Sequence, residues 1–233
     1  MDNHEYADRL RATMSELTAE FHRPSDLPTT LSRITATAVE LIDGVEYADV
    51  LLISGDESFE SIAATGRVAT DLDAVQRSCR EGPCLSAAVD DVVTPSNDLS
   101  SETRWPQFAE SAVAAGVHGV LSFRLYTHDA RRGAMNLFAV ERDAFTAEKE
   151  ALAAMLATQA AIALIADDKD LQFRSALASR DIIGQAKGVI MERFDVDPLR
   201  AFDLLKRLSQ ESNTRLVEIA AEVVSRGREP KGG

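Results

Sequence analysis

The densest grouping of residues able to hold an anion lies late in the chain, at Arg180, Gln185, Lys187 and Arg193. Gly184 and Gly188 sit among them, inside a run whose apolar spacing is helical. A helix-interior glycine costs about 1 kcal/mol relative to alanine, so two of them four residues apart need a reason. Two reasons stand open. The glycines let a neighbouring helix pack closely, with the basic residues a solvated face. Or they let a ligand backbone approach, with Lys187 beside Gly188 as a phosphate contact. Arg207 and Arg215, near the junction of the next two helical stretches, extend the basic set.

The other chemically capable residues form weaker patterns. Cys79 and Cys84 are five apart in a loop-rich stretch, where Arg77 and Arg80 are placed to lower a thiol pKa. The plain reading is two ordinary thiols, with a disulfide or redox switch as its rival. Four histidines, His4, His22, His118 and His128, are isolated from one another, and two cysteines with a distant His118 do not make a metal site. Gly82 and Gly133 stand alone, so no glycine-rich phosphate loop is present, and no nucleophile–base order resembles a hydrolase, kinase or cyclase. The chain reads as a non-enzyme without a metal or identified cofactor.

Three helices must position the basic set. The first carries Ile182, Ile183, Ala186, Val189, Ile190 and Phe194 inward. Asp197 and Pro198 are an N-cap and first-turn proline for the second, whose expected inner side is Leu199, Phe202, Leu205 and Leu208. Asn213 suits a left-handed helix end, and Thr214 is expected to cap a third helix with Leu216, Ile219, Ala220 and Val223 inward. Such elements with short loops make a three-helix bundle. Upstream, Leu152, Leu156, Gln159, Ala163, Ala166, Asp170, Phe173 and Leu177 keep a 3–4 alternation with no Gly or Pro between residues 146 and 183. That stripe predicts a coiled-coil homodimer, against the alternative of a last domain helix that breaks near residues 167–170.

The first three quarters of the chain change period. An amphipathic helix is expected over Tyr6, Leu10, Met14, Leu17 and Phe21, and a second, opened by Asp26 and Pro28, over Leu31, Ile34, Ala38, Leu41 and Ile42. Two hairpins are expected, one turning at residues 55–57 and one at residues 129–133. Between them lie a short helix near Leu85, a short strand near Val93 and a helix after Trp105 and Pro106. This predicts an antiparallel sheet with helices on one face, an α+β sandwich.

Net charge is −13 over 233 residues, which at first argues against a nucleic-acid partner. The charge is uneven. Residues 171–233 hold 11 Lys/Arg against 9 Asp/Glu, a net of +2, and the remainder carries −15. No apolar run of about 18–20 residues and no signal-like N-terminus is seen, which predicts a cytoplasmic protein with no membrane partner.

The stretch RDIIGQAKGVIM at 180–191 closely resembles the signature of the ANTAR family, as do Ala201, Phe202, Leu205, Ser209, Asn213, Leu216, Ile219 and Ala220 behind it. The match spans about 50 residues. It implies binding to paired stem-loops of nascent RNA, usually with antitermination as the result. The family's basic and polar positions fall on Arg180, Gln185, Lys187, Arg193, Arg207 and Arg215, with Gly188 beside Lys187. Phe194 and Phe202 read as buried, so arginine and polar side chains are expected to dominate contact with loop bases.

Residues 27–165 resemble a GAF domain through EGPC at 81–84, RWP at 104–106, GVHGVLSFR at 116–124 and GAMNLF at 133–138. That implies a sensor of a small molecule or redox state, or a dimerisation unit. The expected organisation is an N-terminal helix (1–26), a GAF-like domain (27–165), a coiled-coil extension with the RNA-binding bundle (166–228) and a tail (229–233). A DNA-binding helix-turn-helix regulator, or a ligand-sensing dimer with a protein-binding tail, are the rival readings.

Overall fold

The computed structural model describes residues 26–53, 59–89, 92–126 and 132–227, together with Ser15. The expected N-terminal helix, the tips of both hairpins and the tail lie outside these residues. The chain divides into two compact units, residues 1–168 and 169–233.

In the first unit, helix α1 (Leu27–Leu41) starts where expected, with the Asp26 carboxylate accepting from the Thr29 amide at 2.9 Å and proline in the first turn. Five strands follow in the chain: β1 (Tyr47–Ile53), β2 (Phe59–Ile62), β3 (Val93–Ser96), β4 (Gly119–Tyr126) and β5 (Arg132–Ala139). They form one antiparallel sheet in the order β2-β1-β5-β4-β3. Helices α2 (Arg67–Cys79), α3 (Pro83–Val89) and α4 (Pro106–Ala114) lie between β2 and β4 in the chain.

Because side chains alternate across a strand, β1 and β5 sort their residues between two cores. Val50, Leu52, Met135 and Leu137 join Leu31, Ile34 and Ala38 of α1. Leu51 and Ala134 meet Cys84 and Ala87 of α3, and Phe138 meets Leu72 of α2 and Phe108 of α4. Helices therefore cover both faces of the sheet rather than one, as a sheet apolar on both sides requires. Helix α2 was not expected from the sequence. Its N-cap, Gly66, supplies no side-chain hydrogen bond, and its buried residues, Ala69, Leu72, Asp73 and Gln76, are half polar.

Helix α5 (Ala147–Phe194) has 48 residues, with Thr146 Oγ1 accepting from the Lys149 amide at 3.4 Å and Glu148 and Glu150 in its first turn. The structure splits the expected coiled-coil stripe. Leu152, Leu156 and Ala163 are buried in the sheet's core, whereas Ala166, Asp170, Phe173 and Leu177 are exposed. By length and composition this helix could cross a membrane, but Leu152, Ala153, Leu156, Ala160 and Leu164 pack in the α1-side core.

The second unit is a three-helix bundle: the end of α5, α6 (Pro198–Ser212) and α7 (Leu216–Gly227). Its core is Ala186, Ile190, Ala201, Leu205, Ile219, Ala220 and Val224. Asp197 caps α6, its carboxylate accepting from the Leu199 and Arg200 amides at 2.9 Å, and Asn213 ends it at φ 51°. Thr214 does not cap α7: its hydroxyl donates to the Ser212 carbonyl and the helix opens after Arg215.

Candidate nucleic-acid interface

Helix α6 packs on Ala201, Leu204 and Leu205, so of the expected stripe Leu205 alone is buried. Alanine at 201 lets the α6 backbone approach its neighbours, and the helix is rolled accordingly. Leu199 and Leu208 turn to solvent, and Phe202 is 38% exposed, so the expectation that Phe202 is buried is corrected. Phe194, the last residue of α5, is exposed as well. The bundle core is thus built from small and aliphatic residues, and its aromatics are left at the surface.

Phe202 lines a cleft of about 570 Å³ whose other walls come from one side of α5: Ser179, Arg180, Ile183, Gly184 and Lys187. A Cβ at Gly184 would meet nothing within 4 Å, and the same holds at Gly188. Among the described residues nothing occupies the space these glycines leave, so packing between those residues does not account for them. Among the described residues Arg180 and Lys187 have no ion-pair partner.

The basic set is not one face. At 3.6 residues per turn, Arg193 lies opposite Gly184 around the α5 axis and Gln185 about 100° away, whereas Gly188 stays adjacent. Gln185, Gly188, Arg193 and Arg207 are exposed but do not line the cleft. Arg215 is engaged by Glu218, its Nε and Nη2 at 2.6 and 2.5 Å from one carboxylate oxygen. Sequence reasoning missed Phe202 as a surface residue. Ala201, the one small side chain on α6 at the position where helices must touch, was the signal available.

A second concentration of polar groups lies in the first unit, on the sheet face that carries α2 and α3. Thr94, Ser122, Asn136 and Asp49 are register partners in turn across four strands, and each is buried. Asn136 Nδ2 donates to Asp49 at 2.6 Å, and its Oδ1 accepts from Ser122 Oγ at 2.6 Å and Cys84 Sγ at 2.9 Å. Above them, Gln76 accepts the Cys84 amide at 3.0 Å and donates to Asp73 at 3.4 Å. Burial pushes the Asp49 carboxyl well up, with Asp73 adding repulsion, and burial lifts Asp73 itself to about 6. The Cys84 thiol is pushed up by burial first and by Asp73 and Asp49 next, opposite to what a reactive thiolate needs. Both cysteines are free, Cys84 buried and Cys79 half-buried. Among the described residues no three His, Cys, Asp or Glu side chains group as metal ligands.

The motif residues of this unit serve its packing. A Cβ at Gly82 (φ 140°) would collide with the Gln76 side chain. Glu81 accepts the first free amides of α4, from Gln107 at 2.5 Å and Phe108 at 3.0 Å. Arg104 stacks on Trp105 at 4.2 Å and bonds Glu102, holding that carboxyl down at about 2.

The model of the GAF domain matches residues 24–165, well over half of the chain, and that of the ANTAR domain matches residues 171–224. The chain belongs to the GAF domain family and carries an ANTAR domain behind it. This GAF–ANTAR protein is similar to a GAF domain from a phosphoenolpyruvate-protein phosphotransferase of Coxiella burnetii (17% identity, 70% of this chain and 96% of that one, TM-score 0.53). It is also similar to the phycocyanobilin-bound GAF domain of a cyanobacterial phytochrome (16%, 69% and 96%, TM-score 0.54) and to the photoproduct state of a GAF domain from Synechocystis (12%, 64% and 99%, TM-score 0.52). At these identities the likeness is one of fold. Comparison with curated protein sequences gave no significant match. GAF and ANTAR domains are regulatory modules.

Proposed function

We propose that this protein binds stem-loops of nascent mRNA through its ANTAR domain, favouring an antiterminator over a terminator, under control of a small-molecule signal received by the GAF domain. One observation carries the reading: within the matched ANTAR residues, Arg180 and Lys187 flank an open glycine-floored cleft and have no acidic partner among the described residues. Unpaired cations beside a surface kept bare are what a phosphate backbone needs. The −15 carried by the rest of the chain then limits indiscriminate binding, since the attractive field is confined to the bundle. The GAF half of the reading is supported by the buried polar row under α2 and α3, where Asp49 Oδ2 and Asp73 Oδ2 lack partners among the described residues. Two copies joined along exposed residues of α5 would present two modules to two stem-loops, raising affinity through effective concentration.

A helix-turn-helix use of the same bundle fits less well. The third helix would have to read bases, yet Arg215 is bonded to Glu218 and Arg226 to Glu222, so its cations are spent on its own acids. The deciding test is a gel shift of the full chain on hairpin RNA and on duplex DNA, followed by transcription through a terminator in vitro. Preference for hairpin RNA and increased read-through support the proposal. Preference for duplex DNA, or RNA binding without read-through, overturns it.

A further inference from the structure

The cleft between α5 and α6 holds more than charge. A phosphate needs the cations Arg180 and Lys187 but gains nothing from a phenyl ring. Phe202 nevertheless lines the cleft at 38% exposure, together with Gly184, although α6 is already anchored by Ala201 and Leu205. The cleft's lining is amphipathic: Ile183 and Phe202 are apolar, Ser179 offers a hydroxyl, and Arg180 and Lys187 supply the cations. Arg180 and Lys187 are seven residues apart, so about 10 Å along the helix at 1.5 Å per residue. That separation leaves room for one flat ring between them, with backbone running to either side. The volume of about 570 Å³ is within the range of clefts that take a small planar ligand.

We propose that this cleft takes one unpaired nucleobase from an RNA loop, its face stacked on Phe202 over the floor left by Gly184, with the flanking phosphates held by Arg180 and Lys187. The proposal rests on the RNA-binding reading and adds to it a base site on α6. Single-stranded loops are read largely by such stacking because their bases are already free of a duplex. A side chain at 184 would fill the floor, which explains why a helix-breaking residue is kept at a position where no packing requires it.

The test uses the full chain and a pool of RNA stem-loops with randomised loops, with binding followed by fluorescence polarisation across a salt series. Phe202→Leu keeps an apolar side chain and removes the aromatic face. It is expected to weaken binding about 5- to 150-fold, the roughly 1–3 kcal/mol of one base–aromatic stack, without changing the salt slope. Phe202→Trp is expected to retain binding, and its indole fluorescence to be quenched on adding the pool, whereas the buried Trp105 stays unchanged. The Phe202→Trp readout stands even where Phe202→Leu destabilises the bundle. If Phe202→Leu binds like the parent and the Phe202→Trp indole is not quenched, while Lys187→Ala weakens binding, the RNA reading stands and the base site is overturned. If the parent chain binds no member of the pool, both fall. If Phe202→Leu changes only self-association, the cleft receives a second copy of the chain and the base site is likewise overturned.

Discussion

The two units treat their polar side chains in opposite ways. In the GAF domain, Asp49, Asp73, Gln76, Ser122 and Asn136 are almost wholly removed from water and bound to one another. In the ANTAR domain, Arg180 and Lys187 line an open cleft with no partner among the described residues. Buried polar groups must find their partners inside the fold, and that fixes strand register and helix placement. Unpaired surface cations contribute little to folding, and they keep their interaction free energy for an incoming anion. Substitutions in the first set should therefore act on stability, and substitutions in the second on binding.

The largest effect is expected at Asn136. Asn136→Leu removes the acceptor of Ser122 and Cys84 and the donor to Asp49, stranding three buried groups at once. A loss of about 3 kcal/mol or more in urea denaturation is expected, with RNA affinity of the folded protein unchanged. A loss below about 1 kcal/mol would break the contrast between the units. Next comes pH. The folded carboxyl of Asp73 titrates at about 6 against an ordinary 3.8, so between those values the folded chain keeps a proton that the unfolded chain has released. Protonation favours folding there, and stability falls as pH rises from about 4 through 6, by on the order of 2–3 kcal/mol. Asp49, also pushed up by burial, adds a fall of the same sign, so Asp73→Asn should make that slope shallower and raise the pH 7 melting temperature; an unchanged profile would show that Asp73 does not contribute.

At Gly184 the two properties should part company. Gly184→Ala meets no neighbour and should stabilise the helix by about 1 kcal/mol, read by thermal melting, while weakening RNA binding measurably. Unimpaired binding would mean that the cleft is not used. The smallest effect separates the cations. Lys187→Ala should reduce the salt slope of RNA binding by about 0.7, the share of one phosphate contact on a single strand. Arg215→Ala should leave it nearly unchanged, because that guanidinium already serves Glu218. Equal effects would erase the distinction between lining the cleft and merely being basic.

Capped, strongly periodic elements were legible in the sequence. Asp26 with Pro28, Thr146, Asp197 with Pro198 and Asn213 all mark helix ends as read, because capping depends on a few adjacent residues. Helix α2 was not legible, since its cap is a bare glycine and its polar Asp73 and Gln76 point into the core. Nor was the division of the α5 stripe, because a 3–4 spacing looks the same whether its partner is a sheet or a second helix. For the candidate site, sequence supplied the cations and the unusual glycines. It could not give the roll of α6, which is set by where Ala201 and Leu205 find space in three dimensions and which turns Phe202 outward.

The exposed half of the α5 stripe does not stop at Leu177. Phe173, Leu177, Arg180, Gly184 and Lys187 keep the same 3–4 spacing and fall within an arc of about 80° on one side of the helix. If two copies pair along Phe173 and Leu177, their Arg180 and Lys187 side chains are brought toward each other, and like charges push the helices apart just where the clefts begin. A polyanion entering there acts as the counter-ion of the pair. Self-association and the proposed RNA binding would then be a single linked equilibrium, in which each strengthens the other by the same factor, and the protein's own concentration would set how tightly it holds a transcript.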